Sequence, residues 1–187
     1  GHAMTTAFYN TIVGYQAGDA LTIGNQNVAI GYEALSTSVD GDHNVAVGYA
    51  ALQDYEDGDG NGFNTAVGSQ SQANAITGEF NTSLGALSMG AGVTTGNYNV
   101  AIGNEAGNDL TSGNRNTFVG YRAGFELTTS ASNTGVGYNA LKNSLNCNYN
   151  TALGDGALTT NVDGDANTAV GFESLYTLEP ADGLSYN

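Results

Sequence analysis

The chain has 187 residues, with 28 Gly, a single Pro and no Trp, and its 18 Asp and Glu against three Lys and Arg give a net charge of -15. That balance argues against nucleic acid, polyanionic ligands and anionic membrane surfaces as partners, because basic residues are what displace counterions there. No run approaches the roughly 18 apolar residues of a membrane span, so membrane insertion is not expected.

Residues 1–4 read as the scar of a cleaved tag, which leaves 5–187 as a single repeat domain with His43 as its histidine. From Asn10 onward one unit recurs ten times, opening at Asn10, Asn27, Asn44, Asn64, Asn81, Asn99, Asn116, Asn133, Asn150 and Asn167. Eight of the nine intervals are 17 or 18 residues and one is 20. A period this short means one supersecondary unit stacked on its own copies.

Counting each Asn as position 1, the first predicted element is a short strand over positions 2 to 4, seen in Val28-Ala29-Ile30, Val45-Ala46-Val47 and Thr168-Ala169-Val170. Its β-branched content favours extended backbone. Position 5 is Gly in all ten copies, from Gly14 to Gly171, which marks a sharp bend or a close backbone approach. A second short strand is predicted over Tyr-x-Ala-Leu, as in Tyr32 to Leu35 and Tyr138 to Leu141, where Ala or Ser always holds the third place. Turn residues such as Gly24-Asn25, Gly41-Asp42 and Gly164-Asp165 then return the chain. The three-residue insertion at Gly60 to Gly62 falls in that variable return, and Gly183 to Asn187 reads as the lead-in to an eleventh repeat.

Stacking such units gives an all-β parallel β-solenoid of ten 17-residue coils, a rod roughly 45 to 50 Å long at the usual strand spacing. The repeated Asn is expected to form a ladder, bonding to its copies and to turn backbone. Side chains alternate along the strand, so the branched residues of position 4 and the small ones of position 3 face opposite ways. Both faces look buried, yet a coil this short encloses one row. The expectation is that branched residues such as Val47 and Ile102 fill the coil, and that the small-residue face packs against other copies in a closed homotrimer.

Chemistry is sparse. His43 and Cys147 stand six repeats apart and are not expected to meet as base and nucleophile; Cys147 reads as a small turn residue. Asp40-Gly41-Asp42, Asp57-Gly58-Asp59 and Asp163-Gly164-Asp165 alternate hard oxygens around Gly, a pattern that suits calcium or simply makes turns. Tyr15, Tyr32, Tyr49, Tyr121 and Tyr138 share position 6, where stacked rings either pack a corner or meet the apolar face of a sugar. Position 2 carries seven Thr, interrupted by Val28, Val45 and Val100, which raises an ice-binding solenoid as an alternative. A glycan-depolymerising spike built on paired carboxylates is the other.

Asn27 to Gly31 and Asn99 to Gly103, both Asn-Val-Ala-Ile-Gly, resemble the head repeat of trimeric autotransporter adhesins, whose heads are trimeric parallel β-rolls. The fuller forms Asn167 to Leu175 and Asn44 to Leu52 are similar to phage tail-fibre repeats of the type found upstream of endosialidase-type chaperone domains. The resemblance spans Asn10 to Leu175 and implies a non-enzymatic, extracellular fibre segment of a virion or cell surface. Its implied partners are its own copies and a host cell-surface polysaccharide, which it would serve as shaft or receptor-binding head.

Overall fold

The computed structural model describes residues 5–56 and 61–178. Every repeat contributes a three-residue strand from its positions 2 to 4. These are β1 (Thr11–Val13), β2 (Val28–Ile30), β3 (Val45–Val47), β4 (Thr65–Val67), β5 (Thr82–Leu84), β6 (Val100–Ile102), β7 (Thr117–Val119), β8 (Thr134–Val136), β10 (Thr151–Leu153) and β12 (Thr168–Val170). They form one parallel sheet in chain order, with equivalent residues paired, as Thr11 with Val28 and Ala152 with Ala169. The 20-residue interval leaves this register intact, since Val45 still pairs with Thr65. In the last coils β9 (Asn143–Leu145), β11 (Thr160–Val162) and β13 (Thr177–Leu178) add a second, three-stranded parallel sheet. The protein is therefore a parallel β-solenoid of about nine turns between its first and last strands. Among the described residues no helix is long and apolar enough to cross a membrane.

The glycine column ends each strand for a steric reason. Gly14 to Gly154 hold φ between +134° and +140°, and a Cβ on Gly31 would lie 2.2 Å from the carbonyl oxygen of Gly48. No L side chain fits that approach.

The Tyr-x-Ala-Leu segment is not the second strand that was expected. It is a run of turns in which alternate residues are left-handed, with φ of +54° at Glu33 and +52° at Leu35, and +55° at both Asn139 and Leu141. The alternation curls the backbone home and aims successive N–H groups along the rod in opposite senses. Glu33 N–H donates to the Tyr15 carbonyl of the coil before (2.9 Å), and Leu35 N–H to the Ala51 carbonyl of the coil after (3.0 Å). Left-handed backbone costs about 1 to 3 kcal/mol at a residue other than Gly, and these bonds between coils offset it.

The interior corrects the expected sidedness. Position 3 points inward, with Ala29, Ala46, Ala66, Ala101 and Ala152 fully buried against Ala at position 8 and Leu35, Leu52, Leu141 and Leu158 at position 9. Position 4 points outward, leaving Ile30, Leu84 and Val170 exposed by 37%, 49% and 65%. The cause is width: three columns converge at every level, and only a small residue at position 3 leaves room for Leu at position 9. Where position 3 is large, position 9 shrinks. A Cβ on Gly18 would come 2.9 Å from Ile12, and one on Gly124 would come 2.6 Å from the ring of Phe118, which also occupies the space left by Gly107 and Gly135.

The Asn ladder takes its expected form. From Asn10 to Asn150 each Asn side-chain oxygen accepts the N–H of the Asn one coil on, as Asn27 from Asn44 (2.8 Å) and Asn116 from Asn133 (3.0 Å). From Asn10 to Asn150 each amide nitrogen ties the start of its coil to a turn carbonyl, that of Gly41 for Asn27 (2.6 Å) and Ser130 for Asn116 (2.8 Å). One side chain thus satisfies two backbone groups that a tight bend would bury unpaired.

Candidate functional site

The outer face of the ten-stranded sheet is the largest surface feature. Its two columns are Thr or Val at position 2 and Val, Ile or Leu at position 4, and no residue at positions 2 to 4 of any coil is charged. On a rod of net charge -15, this face is a continuous uncharged strip. It is roughly 45 Å long and about 10 Å across by ordinary strand dimensions, on the order of 450 Å². Seven of its position-2 residues are Thr, so the strip is apolar mainly along the position-4 column, and a patch of this size on a monomer is often functional. The seven Thr of position 2 lie on this face beside the branched column, interrupted by Val28, Val45 and Val100.

Ring columns border the strip at both corners. At the corner after the glycine, Tyr15, Tyr32 and Tyr49 stack with centroids 5.3 and 5.5 Å apart, and Tyr121 stacks on Tyr138 at 5.2 Å. The spacing is that of the rungs themselves, so the coil pitch makes the stack. The Glu33 carboxylate holds the Tyr32 phenol above its ordinary value. Arg122 lies over the rings of Tyr121 and Phe125, 5.1 and 5.0 Å from their centroids, while pairing with Glu105. The structure thus brings the five sequence-predicted tyrosines into two stacks, one in each half of the rod.

Sequence reading missed the second ring column, at the residue just before each Asn, here position 0. His43, Phe63, Phe80 and Tyr98 stack at 4.6, 5.2 and 5.1 Å, near parallel. Every position 0 from Tyr9 to Ala166 has φ between +48° and +62°. Its signal was the repeat period alone, since Gln26, Arg115, Ser132 and Ala166 break the ring pattern in the sequence.

The acidic clusters divide. Asp42 and Asp165 each turn an oxygen onto the coil before, accepting the N–H of Asn25 and of Asn148 (2.6 Å for the latter), the same role Asn97 and Asn114 play in their coils. Asp163 is exposed with φ +61°, and Asp40 has one buried oxygen without a partner. Asp57 and Asp59 lie outside the described residues. Among the described residues no three His, Cys, Asp or Glu converge to hold a metal ion. His43 sits in the ring column, whereas Cys147 is buried several coils away, its thiol pushed up to about 11 chiefly by burial.

Compared with known proteins, the chain matches no family model, no curated protein and no solved structure.

Proposed function

We propose that the chain is a non-enzymatic segment of an extracellular fibre, a phage tail fibre or surface adhesin, in which three copies pack their strand faces about a common axis. The observation that carries this reading is the uncharged, branched strip that one chain leaves open along the whole rod. Burying the strip together with the ring columns at its corners brings each copy towards the roughly 800 Å² per partner of specific protein interfaces. Rotational closure leaves no copy with an unpaired face. Hydrogen bonding between successive coils resists bending and pulling along the axis, which suits a shaft. A receptor-binding head would instead present the tyrosine stacks to the pyranose faces of a surface glycan.

Sedimentation equilibrium tests the association. The expected mass is three times the 19.0 kDa of the chain, and a monomer at micromolar concentration overturns the reading. Ile102→Asp should leave a folded rod by circular dichroism but release single copies, because the carboxylate is solvated in the lone chain and buried in the assembly.

A further inference from the structure

We propose that the two ring columns bordering the strip are a register key between copies: a ring at one corner of a chain fills the gap at the other corner of its neighbour, level by level. This rests on the association proposed above and adds the residues that align it. It also assigns the tyrosine stacks to the interface rather than to sugar.

The need for a key comes from the strip. Its rungs are nearly identical, so sliding one copy past another by a coil would bury almost the same apolar surface, and alignment is weakly specified. The corners are not uniform. Coils 4 to 6 carry Phe63, Phe80 and Tyr98 at position 0 opposite Ser69, Ala86 and Asn104 at position 6. Coils 2, 8 and 10 reverse this, with Gln26, Ser132 and Ala166 at position 0 and Tyr32, Tyr138 and Phe172 at position 6. Coil 7 pairs Arg115 with Tyr121, and coil 9 pairs Tyr149 with Asp155. Two rings share a level only in coil 1, at the end of the ladder, and in coil 3, where one of them is the imidazole of His43.

Inside the coil the same exchange, large at position 3 with Gly at position 9, comes from direct contact, as Phe118 and Gly124 show. At the corners the chain supplies no such contact. The whole strand separates positions 0 and 6, about 10 Å or more. Among the described rings, the stacking contacts of these columns run along a column and none crosses between them. The contact that trades one size for the other therefore lies between chains.

Symmetry then fixes the partner's pose. Rotation about an axis along the rod brings position 0 of one copy to position 6 of the next at the same level. A slip of one coil would set Tyr49 against Phe63 in one direction and Tyr98 against Tyr121 in the other, ring on ring. An antiparallel pair would oppose Phe80 to Tyr98 and leave Ala86 facing Asn104, rings together and gaps together.

Cysteine cross-linking of the full chain tests the key. Ser132→Cys with Tyr138→Cys places thiols at both corners of coil 8, whereas Ser132→Cys with Ser69→Cys sets them four coils apart. Buried Cys147 stays protonated at pH 8 and does not compete. Mild oxidation should join the first variant into covalent multimers and leave the second as single chains. Equal linking of both, or none in the first variant while sedimentation still shows association, overturns the key and spares the association; a monomeric wild type removes both. As a second readout, Ala86→Phe alone should weaken association about tenfold, and adding Phe80→Ala should restore it. Purely additive effects would overturn the key, since coupling between residues that do not touch within a chain is what it requires.

Discussion

Coils 2 and 3 hold Ala at position 3, Ala at position 8 and Leu at position 9, whereas coils 6 to 8 run through Ala101 with Gly107, Phe118 with Gly124 and Gly135 with Leu141. The strands on either side stay in the same register and the glycine column keeps the same φ. The lesson is that the hydrogen-bonded frame fixes the volume of a level, and the residues need only share it out. The frame differs as well. In coils 6 to 8 each Asn amide also reaches the side-chain oxygen of the Asn before it, at 3.1 to 3.2 Å, whereas in coils 2 and 3 it bonds to turn backbone alone.

The largest effect should come from breaking the shared-volume rule where it is most stretched. Phe118→Ala empties a site whose neighbours are already glycines, so the cavity cannot collapse and the cost is about 4 kcal/mol. Adding Gly124→Leu should recover about half by converting coil 7 to the filling of coils 2 and 3. Leu is at home there, because Leu35 and Leu52 hold φ of +52° and +47° at the equivalent place, close to the +64° of Gly124. Urea titration measures both variants. A double variant no more stable than Phe118→Ala would show that level volume is not what the sequence conserves between coils.

A smaller contrast should appear in the ladder. Asn27→Ala leaves the Asn44 N–H and the Gly41 carbonyl buried without partners, a loss of about 2 kcal/mol. Asn116→Ala orphans the Asn133 N–H and the Ser130 carbonyl, and also removes the side-chain rungs to Asn99 and Asn133. About 3 kcal/mol is expected. Equal midpoints for the two variants would mean that the extra rungs contribute nothing.

The period, the Asn ladder and the glycine bend were legible because each is a demand made on one residue type in every coil. Sidedness was not, because Val47 and Ala46 both read as buried until the width of the coil is known. The Tyr-x-Ala-Leu turn was missed for a related reason: Leu35 and Leu52 are poor candidates for left-handed backbone on their own, and hydrogen bonds to neighbouring coils are what hold them there. In the candidate site, the tyrosines were found from one corner and the column of Phe63, Phe80 and Tyr98 overlooked at the other. Neither the exchange between the two corners nor the open strip exists until the coil is closed.

Between the two regions lies a polar level that offers the finest test of their difference. Ser71 and Ser83 face each other at 2.6 Å, Gln72 donates to Ser83 at 2.8 Å, and the Gln72 carbonyl oxygen is buried without a partner. The level separates one apolar cluster, ending at Ala75, from a second that begins at Met89. Gln72 stands at position 9, where Leu is the rule, and its φ of +49° matches that of the leucines. Gln72→Leu should therefore fit without backbone change, keep the Ser71–Ser83 bond and remove the unpaired oxygen, raising stability by about 1 kcal/mol. Hydrogen exchange would sharpen the result. If the polar level uncouples the halves, amides of β2 and β3 exchange through a separate opening from those of β7 and β8 in the wild type, and the substitution brings their opening free energies together. Unchanged exchange in both halves would make the rod one cooperative unit and reduce the difference between the regions to packing alone.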